Sequence, residues 1–198
     1  LVTEAEFPEF VNYLNLPEEV REGSQEEQNA LSLLRSLQSK GYILSYNLLD
    51  TTGNVLLSTN VSPEQIDQLP RNLGIDLTDR GFLDLLLLTN QPYISPVIFA
   101  PDGNTSIFFA TRVDNSEGNP VGVLISQYHA SNLQSIIAKS KELKIPGAVA
   151  VLLDENNLRL AQSQAPEALY KFVAPIDAQT YKGLITAQRI PNVAAEQL

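Results

Sequence analysis

Apolar residues recur every three or four positions through the first forty residues, a spacing that predicts helices. One such stripe consists of Phe7, Phe10, Val11 and Leu14. Pro17 should end that helix. A second, longer helix is expected to begin after Ser24, whose hydroxyl can form a capping box with Glu27. Gly41 is its expected C-terminal stop.

After residue 42 the pattern changes to short apolar runs separated by Gly, Asn, Asp and Pro, which predicts strands joined by turns. The five predicted strands are Ile43–Leu49, 55–59, 93–99, 106–113 and 121–128. Two helices are expected between the second and third strands, one beginning at Ser62 and Pro63, the other capped by Thr78 and Asp79. Antiparallel strands with their helices grouped in one connection predict an α+β fold.

The strand pattern then starts again after a helix that Ser131 and Gln134 should open as a second capping box. Leu-Leu-Asp at 48–50, followed by a polar turn and a strand, returns as Leu-Leu-Asp at 152–154, which is 104 residues later. Such recurrence predicts a tandem repeat of one module, with the second copy truncated or reduced.

Charge and composition exclude several kinds of function. Asp and Glu number 23 against 13 Lys and Arg, a net charge of -10 that repels nucleic acids. Cys is absent and His129 is the single histidine, so thiolate nucleophiles and multi-histidine metal sites are not available. No run approaches the roughly 20 apolar residues of a membrane helix. Met is absent as well, so we expect this chain to be a piece of a longer protein.

Three segments, taken in order, resemble a known family. They are Asp-Leu-Thr-Asp-Arg-Gly-Phe-Leu at 76–83, Pro-Tyr-Ile-Ser at 92–95 and Val-Gly-Val-Leu at 121–124. Over residues 31–161 the chain resembles the double-Cache sensor domain, which lies outside the membrane in bacterial receptors. The resemblance implies a PAS-like five-stranded antiparallel sheet with a long N-terminal helix, followed by a second, smaller PAS-like module.

The same resemblance implies an arrangement of parts. It gives N-terminal helices at 1–41, a membrane-distal sensor module at 42–130, a connecting helix at 131–147 and a partial membrane-proximal module at 148–198. The chain would be the periplasmic or extracellular portion of a membrane-embedded receptor. A histidine kinase is the favoured output, with a chemoreceptor or nucleotide cyclase as alternatives. No cofactor is implied, and the first apolar stripe could pair two chains in a homodimer.

Three residues match family positions that contact ligands. The resemblance implies that Arg80 offers its guanidinium group to a ligand carboxylate, a role that its planar donors suit. Phe82 would form an aromatic wall and Tyr93 would supply a phenol. The alternatives are an ion pair between Arg80 and a nearby aspartate (76, 79 or 84) and ordinary packing of the two aromatic rings.

Three departures from the family's amino-acid motif change the expected ligand. Ile75 stands where that motif has tyrosine, Leu83 where it has a second aromatic residue, and Gln127 where it has an aspartate that holds an α-ammonium group. A neutral amide cannot supply the charge-assisted bond that a buried ammonium needs. We therefore expect a carboxylate, or a small neutral or apolar molecule, and not a standard α-amino acid.

Other candidates are weaker. Tyr46 and Thr111 lie on inner strands, and the strand register decides which face they occupy. His129 could make binding pH-dependent if it faces the pocket, or it could be a polar residue at a strand end. The loop at 114–119 carries oxygen ligands but lacks the spacing of an EF-hand, so it is read as a hairpin tip and no metal site is predicted.

Function is therefore read as the sensing of a small molecule. The main alternative is a PAS-like spacer or dimerisation module that has lost its ligand. An enzyme would need paired carboxylates or a Ser–Lys arrangement, and the acids are scattered over turns and helix starts. We expect no catalysis by this piece.

Overall fold

The computed structural model describes residues 2–40, 42–68, 80–139 and 148–198. The chain divides into two compact units. The first consists of Leu1–Ser95 and Phe108–Tyr128, and the second of Pro96–Ile107 and His129–Leu198. The predicted modules at 42–130 and 148–198 stay predictions, because a division by compactness does not identify a repeated module.

The N-terminal region is helical. Its elements are α1 (Val2–Ala5), α2 (Pro8–Leu14), a 3-10 turn (Glu18–Val20) and α3 (Gln25–Ser39). The capping box is present at α3, where Ser24 Oγ accepts a hydrogen bond from the Glu27 backbone N–H at 3.0 Å. The Glu27 carboxylate in turn accepts from the Gly23 N–H at 2.5 Å. The predicted stop at Gly41 lies outside the described residues.

Antiparallel strands form the central sheet. They are β1 (Ile43–Leu49), β2 (Val55–Ser58), β3 (Tyr93–Ile94), β4 (Ile98–Phe99), β5 (Thr105–Asp114) and β6 (Pro120–His129). Their order is β2-β1-β6-β5-β3, and β4 also pairs with β5. The α+β, PAS-like prediction is confirmed. The prediction of one continuous strand at 93–99 is wrong, because Pro96 has no N–H to donate and the chain leaves the ladder between β3 and β4.

Short helices complete the description of this region. A 3-10 helix spans Pro63–Gln68, α4 spans Arg80–Thr89 and α5 spans Ser131–Lys139. The predicted cap of α4 at 78–79 lies outside the described residues. The predicted capping role of Gln134 is not what the side chain does. Its amide exchanges two hydrogen bonds with the backbone of Gln162, at 2.8 and 2.9 Å.

The core of the first unit lies between the N-terminal helices and one face of the sheet. Phe10 and Leu14 of α2 and Leu34 of α3 are buried there with Tyr46 and Leu48 of β1. Phe10 and Leu14 of the predicted apolar stripe are thus buried inside the chain, and the pairing of two chains through the N-terminal helices stays a prediction. None of the described helices is both long and apolar enough to cross a membrane.

The second unit has its own small core. A hairpin of β7 (Val151–Leu153) and β8 (Arg159–Gln162) is followed by α6 (Ala178–Thr186). Leu158, Ile190 and Phe99 are buried together in this unit, with the Tyr170 ring edge-on to Phe99 at 4.9 Å between centroids.

The hairpins of the two units repeat the same hydrogen bonds at the 104-residue offset. The Thr59 N–H donates to the Tyr46 carbonyl oxygen, and the Tyr46 N–H donates to the Thr59 hydroxyl oxygen. Ser163 and Ala150 form the same two bonds, with Ser163 in the place of Thr59. The strand pairing shifts register in both hairpins, between residues 48 and 49 in the first and between residues 152 and 153 in the second. The recurrence at this offset thus extends to the hydrogen bonds of the two hairpins, and the repeat of a whole module stays a prediction.

Candidate functional site

The strand register separates the sheet into two faces. Cross-strand partners point to the same side of a sheet, and successive residues point to opposite sides. Tyr46 and Leu48 pair with positions 126 and 124 and face the N-terminal helices. The other face therefore carries Ser45, Asn47 and Leu49, whose partners on β6 are Gln127, Ile125 and Val123.

Helix α4 covers this second face at β5. Arg112 of β5 donates from Nη1 to the carbonyl oxygen of Leu87 in the last turn of α4, at 2.6 Å. A cation favours the carbonyl end of a helix, so this contact fixes the end of α4 against the sheet. The same guanidinium group also binds Asp114, with Nε–Oδ1 at 2.6 Å and Nη2–Oδ2 at 2.8 Å.

Two of the predicted aromatic residues come together at the start of this covered face. Phe82 of α4 is 8% exposed, and its ring lies 4.7 Å from that of Tyr93, centroid to centroid, with a 48° tilt. Tyr93 pairs with Ala110 of β5, which lies on the same face as Arg112. The two rings form one aromatic wall between helix and sheet.

Arg80 is the first residue of α4, two positions before Phe82. The description of Arg80 is limited to its backbone. The motif position Ile75 lies outside the described residues, and so do the aspartates at 76 and 79 that could pair with Arg80. The ligand role of Arg80 stays a prediction.

Gln127 belongs to the face that α4 covers. Its Oε1 accepts a hydrogen bond from the buried Ser45 hydroxyl at 3.0 Å. An amide and a hydroxyl at this position supply hydrogen bonds without charge. The expectation that no α-ammonium group is held here stays a prediction.

Tyr46 and Thr111 do not join these residues. Tyr46 is fully buried in the core against the N-terminal helices, and its hydroxyl donates to Glu4 Oε2 at 3.1 Å. Burial and the Glu4 carboxylate raise the pKa of the Tyr46 phenol well above its ordinary value. Thr111 alternates with Val113, a member of the same core, and so shares that face. Both residues thus belong to the core on this side of the sheet, and their role in ligand binding stays a prediction.

His129 ends β6 and belongs to the second unit. Its side chain is half-buried, and its Nδ1 has no hydrogen-bond partner within the described ranges. Its role in ligand binding stays a prediction.

The loop after β5 is a closed turn. Asn115 Oδ1 accepts from the backbone N–H groups of Glu117 and Asn119, both at 3.0 Å. Across the parts of the chain that the structure describes, no three histidine or acidic side chains are grouped as metal ligands are. The side-chain oxygen of Asn115 is used by the turn itself, as in other Asx turns.

Sequence reasoning missed two residues of the covered face, Asn47 and Arg112. Asn47 is 1% exposed, and its Oδ1 has no hydrogen-bond partner among the described residues. A signal was present: Ser45 and Asn47 are polar at alternating positions in a strand that is otherwise apolar. Alternation of this kind normally marks a solvent-facing side, whereas here that side is buried.

Comparisons with known proteins support the architecture. No family model matches the chain, and no curated protein matches it. The sensor domain of the histidine kinase DctB from V. cholerae is similar in structure, with a TM-score of 0.60 and 16% identity over 96% of this chain and 67% of that one. The ligand-binding domain of the Campylobacter jejuni chemoreceptor Tlp3, in complex with 4-methylisoleucine, gives 0.56 and 22% over 86% and 62%.

A third similar structure is the ligand-binding domain of the Pseudomonas aeruginosa chemoreceptor PctC in complex with GABA, with a TM-score of 0.54 and 14% identity over 97% of this chain and 73% of that one. The chain thus spans about two thirds of the length of these domains. At such identities the likeness concerns the fold. The chain has the fold of the Cache-type extracytoplasmic sensor domains that histidine kinases and chemoreceptors carry.

Proposed function

We propose that this chain is the extracytoplasmic ligand-sensing part of a membrane-embedded signalling receptor, with a sensor histidine kinase as the favoured parent. The ligand is a small molecule held in the first unit, between α4 and the sheet. The second unit and the N-terminal helices connect this site to the rest of the receptor. The chain itself carries out no catalysis.

The observation that carries this proposal is the covered sheet face. Helix α4 supplies Phe82, while the sheet supplies Tyr93 and Gln127, and the proposal adds Arg80 because it is the first residue of the same helix. An aromatic wall beside a few polar groups is the usual composition of a small-molecule site. Proteins with the same fold have been solved with 4-methylisoleucine and with GABA bound, which supports small-molecule binding as the general role.

A carboxylate is the favoured ligand class. Arg80 is the cation available at the start of α4, and guanidinium groups bind carboxylates through two parallel hydrogen bonds. The neutral amide of Gln127 argues against a buried α-ammonium group on the same ligand. A ligand with one anionic end and no cationic end satisfies both conditions.

Signalling requires that the ligand favours one of two receptor states. The ligand can shift this equilibrium only by its difference in affinity for the two states. In the first unit, α4 is fixed to β5 through Arg112 and contacts β3 through the aromatic pair. A ligand that changes the position of α4 would alter these contacts, which gives it a route to the rest of the domain.

A thermal-shift screen followed by calorimetry tests the proposal. The 198-residue chain is screened against organic acids, amino acids, amines, sugars and purines. We expect at least one organic acid to raise the melting temperature, since binding to the folded state stabilises it. Arg80→Ala should weaken that acid at least tenfold, and Arg35→Ala, which removes an exposed arginine of α3, should not.

Two results would count against the proposal. If no compound stabilises the chain, the ligand-free spacer becomes the better reading. If an amino acid binds best and Arg80→Ala leaves its affinity unchanged, the site is not the carboxylate site described above.

A further inference from the structure

Asn47 is a buried polar residue whose side-chain oxygen has no hydrogen-bond partner among the described residues. It lies in the middle of β1 and is 1% exposed. Its Oδ1 accepts no hydrogen bond from any residue that the structure describes. Such atoms are uncommon, because a buried amide without a partner has lost its hydrogen bonds to water. A partner from outside the chain would remove this deficit.

The neighbours of Asn47 on the same face are polar but already have partners. The Ser45 hydroxyl donates to Gln127 Oε1, and the Oγ of Ser58, the cross-strand partner of Asn47 on β2, accepts from the Asn60 N–H at 3.1 Å. Leu49, two residues along the same face, shows that an apolar residue is accommodated there. The side-chain oxygen of Asn47 differs from these neighbours, because it has no hydrogen-bond partner in the described part of the chain.

The charges on this face restrict what could bind the amide. The residues that β1 and β6 contribute here include no carboxylate. The nearest strand with one is β5, where Asp114 is already held by Arg112. Among the described residues of β1 and β6, a ligand ammonium group beside Asn47 would be buried against neutral partners, which is unfavourable. An uncharged donor, such as a hydroxyl or an amide N–H, suits an amide oxygen.

We propose that Asn47 binds an uncharged O–H or N–H donor of the ligand, so that the ligand is a small carboxylate that also carries a hydroxyl or amide group. This rests on the proposed function, which supplies the carboxylate end. Three strand spacings of about 4.8 Å, roughly 14 Å in all, separate the backbones of β1 and β3. Asn47 and the Tyr93 wall thus lie on one face of the sheet, with β6 and β5 between them.

Matched pairs of acids test the proposal. Calorimetry on the 198-residue chain compares lactate with propionate, 3-hydroxybutyrate with butyrate, and malate with succinate. We expect at least one hydroxy acid to bind tenfold or more tightly than its partner, because a site built to hydrogen-bond a hydroxyl rejects the analogue that lacks it. Asn47→Leu should abolish that preference while the unsubstituted acid still binds. Asn12→Leu, at an exposed position of α2, should leave the preference intact.

The outcomes separate this inference from the proposed function. If acids bind but the hydroxyl gives no preference, or the preference survives in Asn47→Leu, the inference is wrong and the sensor proposal stands. If no acid binds, the carboxylate proposal fails. The melting temperatures of two Asn47 variants then test whether the amide is kept for binding. A melting temperature raised by Asn47→Leu or by the smaller Asn47→Val would support an amide kept for binding at a cost in stability. A lowered one in both would mean that the amide has a structural partner, such as an ordered water, and would overturn the inference.

Discussion

The hairpins at 46–59 and 150–163 have the same hydrogen bonds but opposite surroundings. In each, an aspartate carboxylate accepts from the backbone N–H groups two and four residues ahead: Asp50 from Thr52 and Asn54, and Asp154 from Asn156 and Leu158. β1 is buried along its last five residues, whereas every residue of β7 is exposed or half-buried. The local sequence thus determines the turn, and the neighbouring strands determine the burial.

The relation between polarity and burial is reversed at two pairs of equivalent positions. Ser45 and Asn47 are polar and buried, while Val149 and Val151, 104 residues later, are apolar and 48% and 43% exposed. Burial alone would favour the reverse assignment of residue types. A binding face in the first unit, as proposed above, would explain why the first hairpin has polar residues at these buried positions.

The largest expected difference between the hairpins concerns their equivalent leucines. Leu48 is fully buried and Leu152 is half-buried. Leu48→Ala should lower the free energy of unfolding by about 3 kcal/mol, since it leaves a cavity in a packed core, and Leu152→Ala by about 1 kcal/mol. Urea unfolding followed by circular dichroism measures both. Equal losses would mean that the two hairpins are buried alike.

Two glycines give the next largest expected loss of stability for a single substitution. A Cβ at Gly122 of β6 would lie 2.5 Å from the Leu49 carbonyl oxygen and 2.7 Å from Leu14 Cδ1, whereas one at Gly183 of α6 would meet nothing within 4 Å. Gly122→Ala should cost about 2 kcal/mol through overpacking. Gly183→Ala should stabilise by about 0.5–1 kcal/mol through helix propensity. Melting temperatures that move in the same direction would contradict this assignment.

The turn aspartates should behave alike if the two turns are equivalent. Asp50→Ala and Asp154→Ala each remove an acceptor for two backbone N–H groups, so each should cost about 1–2 kcal/mol. Amide hydrogen exchange at residues 52, 54, 156 and 158 reports each turn separately. Loss of protection in only one variant would break the equivalence.

The smallest expected effect is a pH dependence in the first turn. Burial opposes ionisation of Asp50, but the hydrogen bonds from Thr52 and Asn54 together outweigh it and lower the pKa of this carboxyl below its ordinary 3.8. A lowered folded-state pKa contributes stability that is present above that ordinary value and is lost as pH falls through the folded-state pKa.

Asp50→Asn should therefore make unfolding less dependent on pH below about pH 4. Melting temperatures across that range give the slope. Because the shift comes from hydrogen bonds, the difference from wild type should persist in 1 M salt, where an ion-pair effect would be screened. Identical slopes for the two proteins would disprove the role of Asp50.

Elements that depend on neighbouring residues were predictable from the sequence. The capping box of Ser24 and Glu27 and the bounds of β1 follow from signals a few residues long. The break after β3 also had a local signal in Pro96, which lies inside the segment predicted as one strand. The apolar run at 93–99 predicts one strand only if the missing N–H of Pro96 is ignored.

Features that depend on distant partners were not predictable. Gln134 has the spacing of a capping box, yet its amide reaches a backbone 28 residues away. A shift of one residue in the strand register decides which face of the sheet Tyr46 and Thr111 occupy. The sequence does not determine that register, so their side of the sheet was not predictable. Asn47 was missed for the same reason, since its burial depends on pairing with β2 and β6.

The contact between Phe82 and Tyr93 makes the proposed site accessible to fluorescence. The chain contains seven tyrosines and no tryptophan. Phe82→Trp would introduce a single indole against the ring of Tyr93, replacing a partner whose centroid lies 4.7 Å away. Emission excited at the red edge of the indole band would then come from one position, so movement of α4 against the sheet could be followed in real time without a chemical label.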